Sequence, residues 1–330
     1  MKARLGIIGT GIAARDLHLP ALNSLRDKFE ITCVCNHTEK KAREFSELAG
    51  NVPWCLDYHD LLSRSDVDAV DIVLPIHLNF KVTLDSLEAG KHVMLEKPIA
   101  ASLSDAELML TFPERFELVM MVAENFRYSP TFKKVREIIE AGRIGTPYSV
   151  FWDLMTTNDR DNKYTKTEWR INHRYPGGFV MDAGVHYIAA LRDLFGEIKR
   201  GIAATRSVNP EIGKMDSMTF QFVFESGVNG VFNAYFSAQG VERNRLLVLG
   251  TAGSLVVEMG RIVLKRKDRS EIEEVLDQDM GYRGEFEDFH DCIVNKREPV
   301  STFEKAFDDF RTMLMALDSA SKWDDLEFGK

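Results

Sequence analysis

Arg4-Leu5-Gly6-Ile7-Ile8-Gly9-Thr10-Gly11-Ile12-Ala13-Ala14 stands near the head of this 330-residue chain and decides its fold. Arg4–Ile8 reads as a strand, and a helical pattern runs from Ala13 to Arg26, interrupted by Pro20. In the join between them, Gly9 permits a tight turn and Gly11 lets the backbone approach a pyrophosphate, while Ala14 is small enough for close packing of helix on strand. The helix N-terminus then offers N–H groups to phosphates. Two glycines in a turn are common, and the string gains its meaning from standing after a strand and before a helix. Gly9, Thr10, Gly11, Ile12 and Ala13 are therefore candidate contacts to a dinucleotide.

The same alternation continues downstream. Glu30–Cys35 reads as a second strand, followed by helical periodicity over Glu39–Ala49. Val70–Leu74 is a nearly all-apolar run, as expected of a parallel strand covered on both faces. Asn79–Ala89 is helical and stops at Gly90, a suitable C-cap. His92–Leu95, a helix at Ser104–Leu110 and a strand at Glu117–Ala123 complete a doubly wound parallel sheet.

After a helix at Pro130–Ala141 the texture changes. Tyr148–Met155, Thr219–Phe224, Gly230–Ser237, Arg245–Gly250 and Ser254–Met259 read as strands in succession, several rich in β-branched and aromatic residues. Gly-containing turns at Ser226-Gly227 and Ala252-Gly253 make a mostly antiparallel sheet the expected product. Gly284–Asn295 and Glu304–Ser321 are closing helices. The predicted fold class is α/β. A dinucleotide-binding domain over 1–123 precedes a substrate-binding and oligomerisation domain over 124–330 built on a large antiparallel sheet.

Composition sets the outer bounds. With 45% hydrophobic and 28% charged residues the chain is ordinary for a globular protein, and its net charge of −9 argues against nucleic acid or an anionic membrane as main partners. No apolar stretch reaches the length of a membrane span, and the N-terminus leads straight into a strand with no signal core, so the expected location is the cytoplasm. Cys33, Cys35, Cys55 and Cys292 lack zinc-ligand spacing and read as reduced thiols, and no metal is expected.

The end of the second strand bears on the choice of cofactor. An acidic residue there would bind the adenosine ribose 2′-hydroxyl. Asn36 stands in its place, followed by His37, Thr38 and Lys40, which are able to bond or pair with a 2′-phosphate. This favours NADP over NAD. A plain helix start, with Thr38 as N-cap, is compatible with either.

Two segments carry candidate chemistry. Glu96-Lys97-Pro98 follows the strand His92–Leu95, at the end of the sheet that borders the ligand crevice, where a lysine is well placed for a substrate oxygen. Taken alone, Lys97 equally suits an exposed surface. In Gly177-Gly178-Phe179-Val180-Met181-Asp182-Ala183-Gly184-Val185-His186, the i, i+4 spacing puts Asp182 and His186 on one helix face, and an imidazole beside a carboxylate is a candidate general base. A structural histidine or an N-cap at Asp182 are the competing readings.

Taken in order, these pieces resemble the Gfo/Idh/MocA family of oxidoreductases over nearly the whole chain. The resemblance rests on Gly9-x-Gly11-x-x-Ala14, Leu74-Pro75, the run from Leu87 to Val93, and Glu96-Lys97-Pro98. It continues through the run from Glu124 to Pro130, Trp169-Arg170, Gly177-Gly178 and Asp182-x-Gly184-x-His186. It implies a nicotinamide cofactor and hydride transfer at a hydroxyl or carbonyl of a sugar, cyclitol or related polyol. It implies a homodimer or homotetramer formed through the C-terminal sheet. Lys97 corresponds to the family's catalytic lysine, and Asp182 and His186 to its downstream pair. Leu74, Pro75, Asn79, Glu96, Lys97, Asn125 and Arg127 fall where cofactor contacts are expected, and Trp169, Arg170, Asp182 and His186 where substrate contacts are. A cis Lys97–Pro98 bond is also implied. Two departures stand out: Asn79 where relatives often carry a histidine, and Ile188-Ala189-Ala190 where many carry an aspartate.

The mechanism that follows has His186 taking the hydroxyl proton as the hydride leaves, with Lys97 stabilising the developing oxyanion and Asp182 orienting the imidazole or binding a substrate hydroxyl. The segment 156–174 supplies Asn158, Arg160, Lys163, Tyr164, Trp169, Arg170, Asn172, His173 and Arg174 as hydrogen-bonding groups suited to a polyol. Two rival readings are a cofactor-binding regulator without turnover and a glycosidase with tightly bound NAD.

Overall fold

Short apolar runs separated by helices become a parallel sheet when each run is covered on both faces. The computed structural model describes residues 2–158, 161–258, 260–267, 270–275 and 279–325. Its first sheet contains β1 (Ala3–Ile8), β2 (Phe29–Cys35), β3 (Trp54–Cys55), β4 (Ala69–Ile72), β5 (His92–Glu96) and β6 (Met120–Ala123). Their spatial order is β3-β2-β1-β4-β5-β6, parallel at every pair. β4 and β6 are buried at every residue, which is why both read as apolar runs, interrupted in β4 by Asp71. The order reverses between β1 and β4, so the switch point of the doubly wound sheet lies at the carboxyl ends of these two strands.

The helix expected over 13–26 contains a π-helical turn, Ala14–His18, followed by the α-helix Leu19–Ser24. Pro20 sits in the first turn of that second segment, so the interruption is a widening upstream of the proline rather than a break at it. His18 closes the widened turn and is fully buried.

Contacts divide the chain into two compact units, Met1–Tyr128 with Gly281–Asp308 and Ser129–Met280 with Asp309–Lys330. The sequence reading cuts the chain once, at 123/124. In the structure Gly281–Asp308 returns to the first unit, because Tyr282, Phe286 and Phe289 share a buried cluster with Leu5, Leu22 and Phe29. The helix carrying these aromatics spans Tyr282–Asn295.

The second unit holds β7 (Pro147–Met155), β8 (Ile198–Arg206), β9 (Ser217–Phe224), β10 (Asn229–Tyr235), β11 (Arg243–Gly250), β12 (Gly253–Glu258), β13 (Arg261–Lys265) and β14 (Ser270–Glu274). Their order is β14-β13-β12-β11-β7-β10-β9-β8. Every pair is antiparallel except β10 with β7. Sequence reading passed over β3, β8, β13 and β14, and the expected end of β12 at Met259 lies outside the described residues. Along β9 and β10, Phe220, Phe222, Phe224 and Phe232 are buried while Gln221 is exposed, the period of two that defines a one-sided sheet. The buried face packs on the helix Gly178–Phe195, with Tyr187 stacked on Phe232 at 5.2 Å and Phe195 against Phe224 at 5.4 Å. Each such aromatic contributes about 1.5–3 kcal/mol by leaving water.

Cys33, Cys35 and Cys292 are buried free thiols, and Cys55 is partly buried. Burial pushes the Cys33 and Cys292 thiols up to about 12. Among the described residues, no group of three or more His, Cys, Asp or Glu side chains is arranged to hold a metal ion, and no helix is long and apolar enough to cross a membrane.

Candidate active site

The turn after β1 has the geometry its glycines promise. Gly9 has φ +99°, and a Cβ there would lie 2.1 Å from the Val73 carbonyl oxygen, so only glycine fits. At Gly11 the opposite holds: among the described residues, nothing beyond the adjoining backbone lies within 4 Å of where a Cβ would be. Ala14 is fully buried, as close helix–strand packing requires. The helix opening at Ile12 leaves its first N–H groups without intrahelical acceptors. An open space beside a glycine at a helix N-terminus, at the switch point of a parallel sheet, fits a pyrophosphate.

Thr10 is buried and its hydroxyl donates to the Lys41 carbonyl at 3.2 Å, which ties the turn to the helix Glu39–Leu48. The structure thus gives the Thr10 side chain a bracing role. Asn36 Oδ1 accepts the Thr38 N–H at 2.9 Å, and Thr38 caps that helix by position without a side-chain bond. His37 and Lys40 are exposed, and Lys40 lies 3.8 Å from Glu44. Leu74 and Pro75 are partly exposed just beyond β4, with the Leu74 side chain against Gly9. Asn125 and Arg127 are buried in a 3-10 turn just beyond β6, where the Glu124 carboxylate accepts the Phe126 N–H at 3.3 Å.

At the end of β5, Lys97 is partly exposed and the Lys97–Pro98 bond is cis. Asn79 is fully buried at the start of the helix Asn79–Glu88, and its amide donates to the Glu96 carbonyl at 3.1 Å and the Pro98 carbonyl at 2.8 Å. The Glu96 side chain turns into the core, 3.0 Å from His18 Nε2, while His18 Nδ1 lies 2.8 Å from Asp71 Oδ2. Glu285 of the helix Tyr282–Asn295 is also fully buried, and its charge couples to this group. Burial opposes a charge on His18, but Asp71 and Glu96 outweigh it and hold the imidazole well above its ordinary range. Burial pushes the Asp71 carboxyl up against the pull of His18, and pushes Glu285 well above the carboxylate range. Sequence reading missed His18, Asp71 and Glu285. The available signal was Asp71, a carboxylate inside a run that has to be buried on both faces.

In the second unit, Asp182 and His186 lie one turn apart on the helix Gly178–Phe195, the first buried and the second partly exposed. The helix starts at two glycines of positive φ. A Cβ on Gly178 would meet the Lys214 carbonyl oxygen at 2.3 Å, which explains the glycine. Asp182 Oδ2 accepts from Arg170 Nε at 2.7 Å, and the Arg170 guanidinium lies 4.0 Å from the centre of the Trp169 ring and 5.1 Å from that of Tyr164. A flat guanidinium stacked on indole and paired to a carboxylate is held in place from several sides. Tyr175 is buried nearby, and burial followed by the Asp182 charge raises its phenol.

The predicted polar segment divides. Arg170, Trp169 and Tyr164 gather toward Asp182. Asn158 is buried and accepts from Asn162 at 2.8 Å, Asn172 donates to Glu168 at 2.5 Å, and His173 faces the carbonyls of Tyr175 and Lys214. Lys163 lies 5.3 Å from the centre of the Tyr164 ring, and Arg174 is exposed. Arg160 lies outside the described residues.

Residues 3–124 match the family described as "Oxidoreductase family, NAD-binding Rossmann fold", and residues 132–256 match "GFO/IDH/MocA C-terminal domain". An uncharacterized protein of Saccharomyces cerevisiae is 33% identical over 311 residues, 88% of each chain. The crystal structure of an oxidoreductase from Thermotoga maritima superimposes with a TM-score of 0.92 at 36% identity, covering 97% of each chain. Myo-inositol 2-dehydrogenase of Thermotoga maritima is 27% identical over 261 residues, 77% of this chain and 75% of its own.

Proposed function

Starting from the fact that the chain belongs to the Gfo/Idh/MocA family of oxidoreductases, we propose that it transfers a hydride between a nicotinamide cofactor and a hydroxyl or carbonyl of a sugar, cyclitol or related polyol. The observation that carries this reading is the turn at Gly9 and Gly11, placed at the switch point with open space over Gly11. When bound, the cofactor supplies the hydride acceptor for oxidation, or its donor for reduction.

The chain's own residues take the remaining tasks. Lys97 stabilises the developing oxyanion and fixes the substrate oxygen. His186 takes the hydroxyl proton, and returns it in the reverse direction. Asp182, paired to Arg170, is a fixed acceptor for the imidazole or for a second substrate hydroxyl. Trp169 and Arg170 contact substrate. Gly9, Thr10, Gly11, Ile12 and Ala13 would hold the pyrophosphate, and Asn36, His37, Thr38 and Lys40 the adenosine ribose. The absence of a carboxylate at Asn36 favours NADP over NAD. The remaining cofactor contacts fall to Leu74, Pro75, Asn125 and Arg127. The working assembly is a homodimer or homotetramer through the large sheet.

The test is absorbance at the reduced-nicotinamide band with NADP and NAD in parallel, against aldoses, polyols, inositols and their phosphates. Growth of the band with one class of substrate, lost in Lys97→Ala and in His186→Ala, is the expected result. Turnover at the wild-type rate in either variant would remove the role given to that residue.

A further inference from the structure

Lys97 projects from a segment that is gripped on both sides. Asn79 is fully buried, and a carboxamide nitrogen carries two hydrogens. They go to the carbonyls of Glu96, at 3.1 Å, and Pro98, at 2.8 Å, the residues directly before and after Lys97. A single side chain therefore holds the backbone across the lysine's own position.

The second grip acts on the Glu96 side chain. Its Oε1 lies 3.0 Å from His18 Nε2, and the other ring nitrogen lies 2.8 Å from Asp71 Oδ2. A neutral imidazole donates from one nitrogen only. With a carboxylate at each nitrogen, the group needs either an imidazolium or a proton on one acid, and both arrangements give charge-assisted bonds out of contact with water. The three side chains come from the widened helical turn after β1, from β4 and from β5. Glu96 is thereby anchored to the helical turn directly and to β4 through it.

We propose that Asn79 and His18 are positioning residues for Lys97, the first fixing the backbone on either side of it and the second fixing the side chain that precedes it. A lysine has a flexible four-carbon stem, so its ammonium is placed only as well as its root. This assigns Asn79 a task other than cofactor contact. It rests on the reading of Lys97 as the group that meets the substrate oxygen.

The experiment uses the full-length protein. Asn79→Ala and His18→Gln are compared with wild type and with Lys97→Ala, using NADP and whichever polyol in the panel is turned over fastest. Turnover is expressed per NADP-binding site, counted by titration, so that misfolded protein drops out of both terms. The expected result is a kcat per site lower by ~10- to 100-fold, in line with the cost of a misplacement of about 1 Å, with NADP affinity within about twofold of wild type. Lysines are also labelled by 13C reductive methylation, and the Lys97 signal is assigned by its loss in Lys97→Ala. In wild type this signal should be broadened or shifted away from those of exposed lysines, and should move toward them in each variant. Wild-type kcat per site in both variants, with Lys97→Ala inactive, would overturn the proposal. So would a wild-type Lys97 signal indistinguishable from that of a free surface lysine, a readout that needs neither positioning variant to fold. Full activity in Lys97→Ala would overturn the catalytic reading instead.

Discussion

Replacing Gly11 with alanine adds one methyl group to the turn after β1, and the structure separates its two consequences. Beyond the adjoining backbone, no atom of the described residues lies within 4 Å of the new methyl, and Gly11 is not among the positive-φ glycines. The folded chain therefore accepts it, and the reduced freedom of the unfolded chain favours folding by about 0.4–1 kcal/mol. A pyrophosphate does not accept it, because close backbone approach is the reason for a glycine at this place. A weakening of ~10- to 100-fold in cofactor affinity, about 1.4–2.7 kcal/mol, is the expected size. Gly9→Ala has the opposite profile: its methyl would lie 2.1 Å from the Val73 carbonyl oxygen, on a backbone of φ +99°. There folding itself should suffer. The assay pairs a thermal melt with a titration of NADPH fluorescence on the same preparations. Gly11→Ala should melt at or slightly above the wild-type temperature and bind poorly, while Gly9→Ala should melt lower. Wild-type affinity in Gly11→Ala would refute the placement of the pyrophosphate, and a melting point several degrees lower would refute the open space.

Three further outcomes follow from buried charges. Arg170→Ala removes an ion-pair partner of the largely buried Asp182, which should cost about 3–5 kcal/mol in a denaturant titration and lower turnover with it. Arg192 is almost fully buried between Asp309 and Glu197. Arg192→Met should destabilise by a similar amount, roughly 3–5 kcal/mol, yet leave NADP affinity unchanged in the same fluorescence titration. The third concerns pH. His18, Asp71 and Glu285 all have folded-state values raised above their ordinary ones, in surroundings that also include Glu96 and Glu124. A raised value means that the folded state binds the proton more tightly, so the contribution from His18 is complete below its ordinary 6.5 and is lost as pH climbs through the raised folded value. Melting temperature should fall as pH rises above about 6.5, and His18→Gln should flatten that slope. An unchanged slope would mean that the cluster does not titrate as described.

How far the sequence could be read depended on what each side chain faces. β1, β4, β5 and β6 were legible because a strand buried on both faces has to be apolar, and β9 and β10 because a one-sided sheet alternates. β8 and β14 were not, and they are the two edges of the large sheet. Lys199, Arg200 and Arg206 in β8, and Glu271, Glu273 and Glu274 in β14, conceal the strand signal while protecting an unpaired edge. β13 was missed because its three apolar residues lie between Arg261 and Lys265. At the candidate site, the Gly9–Ala14 turn, Lys97 and the Asp182–His186 pair could be placed from spacing, since each lies within one local element. The His18–Asp71–Glu96 group could not. Its members are 53 and 78 residues from His18 in the chain, and only the sheet order brings them together.

The return of Gly281–Asp308 to the first unit has a consequence for how the chain is made. Translation delivers the glycine turn and all six parallel strands long before Phe286 and Phe289 leave the ribosome. Until those two rings arrive, Leu5, Leu22 and Phe29 lack part of their covering, and the helix that supplies Glu285 is still unmade. The earlier segment therefore has to wait for one synthesised more than 150 residues later, and a nascent chain stalled before residue 281 should hold an exposed apolar surface that chaperones recognise.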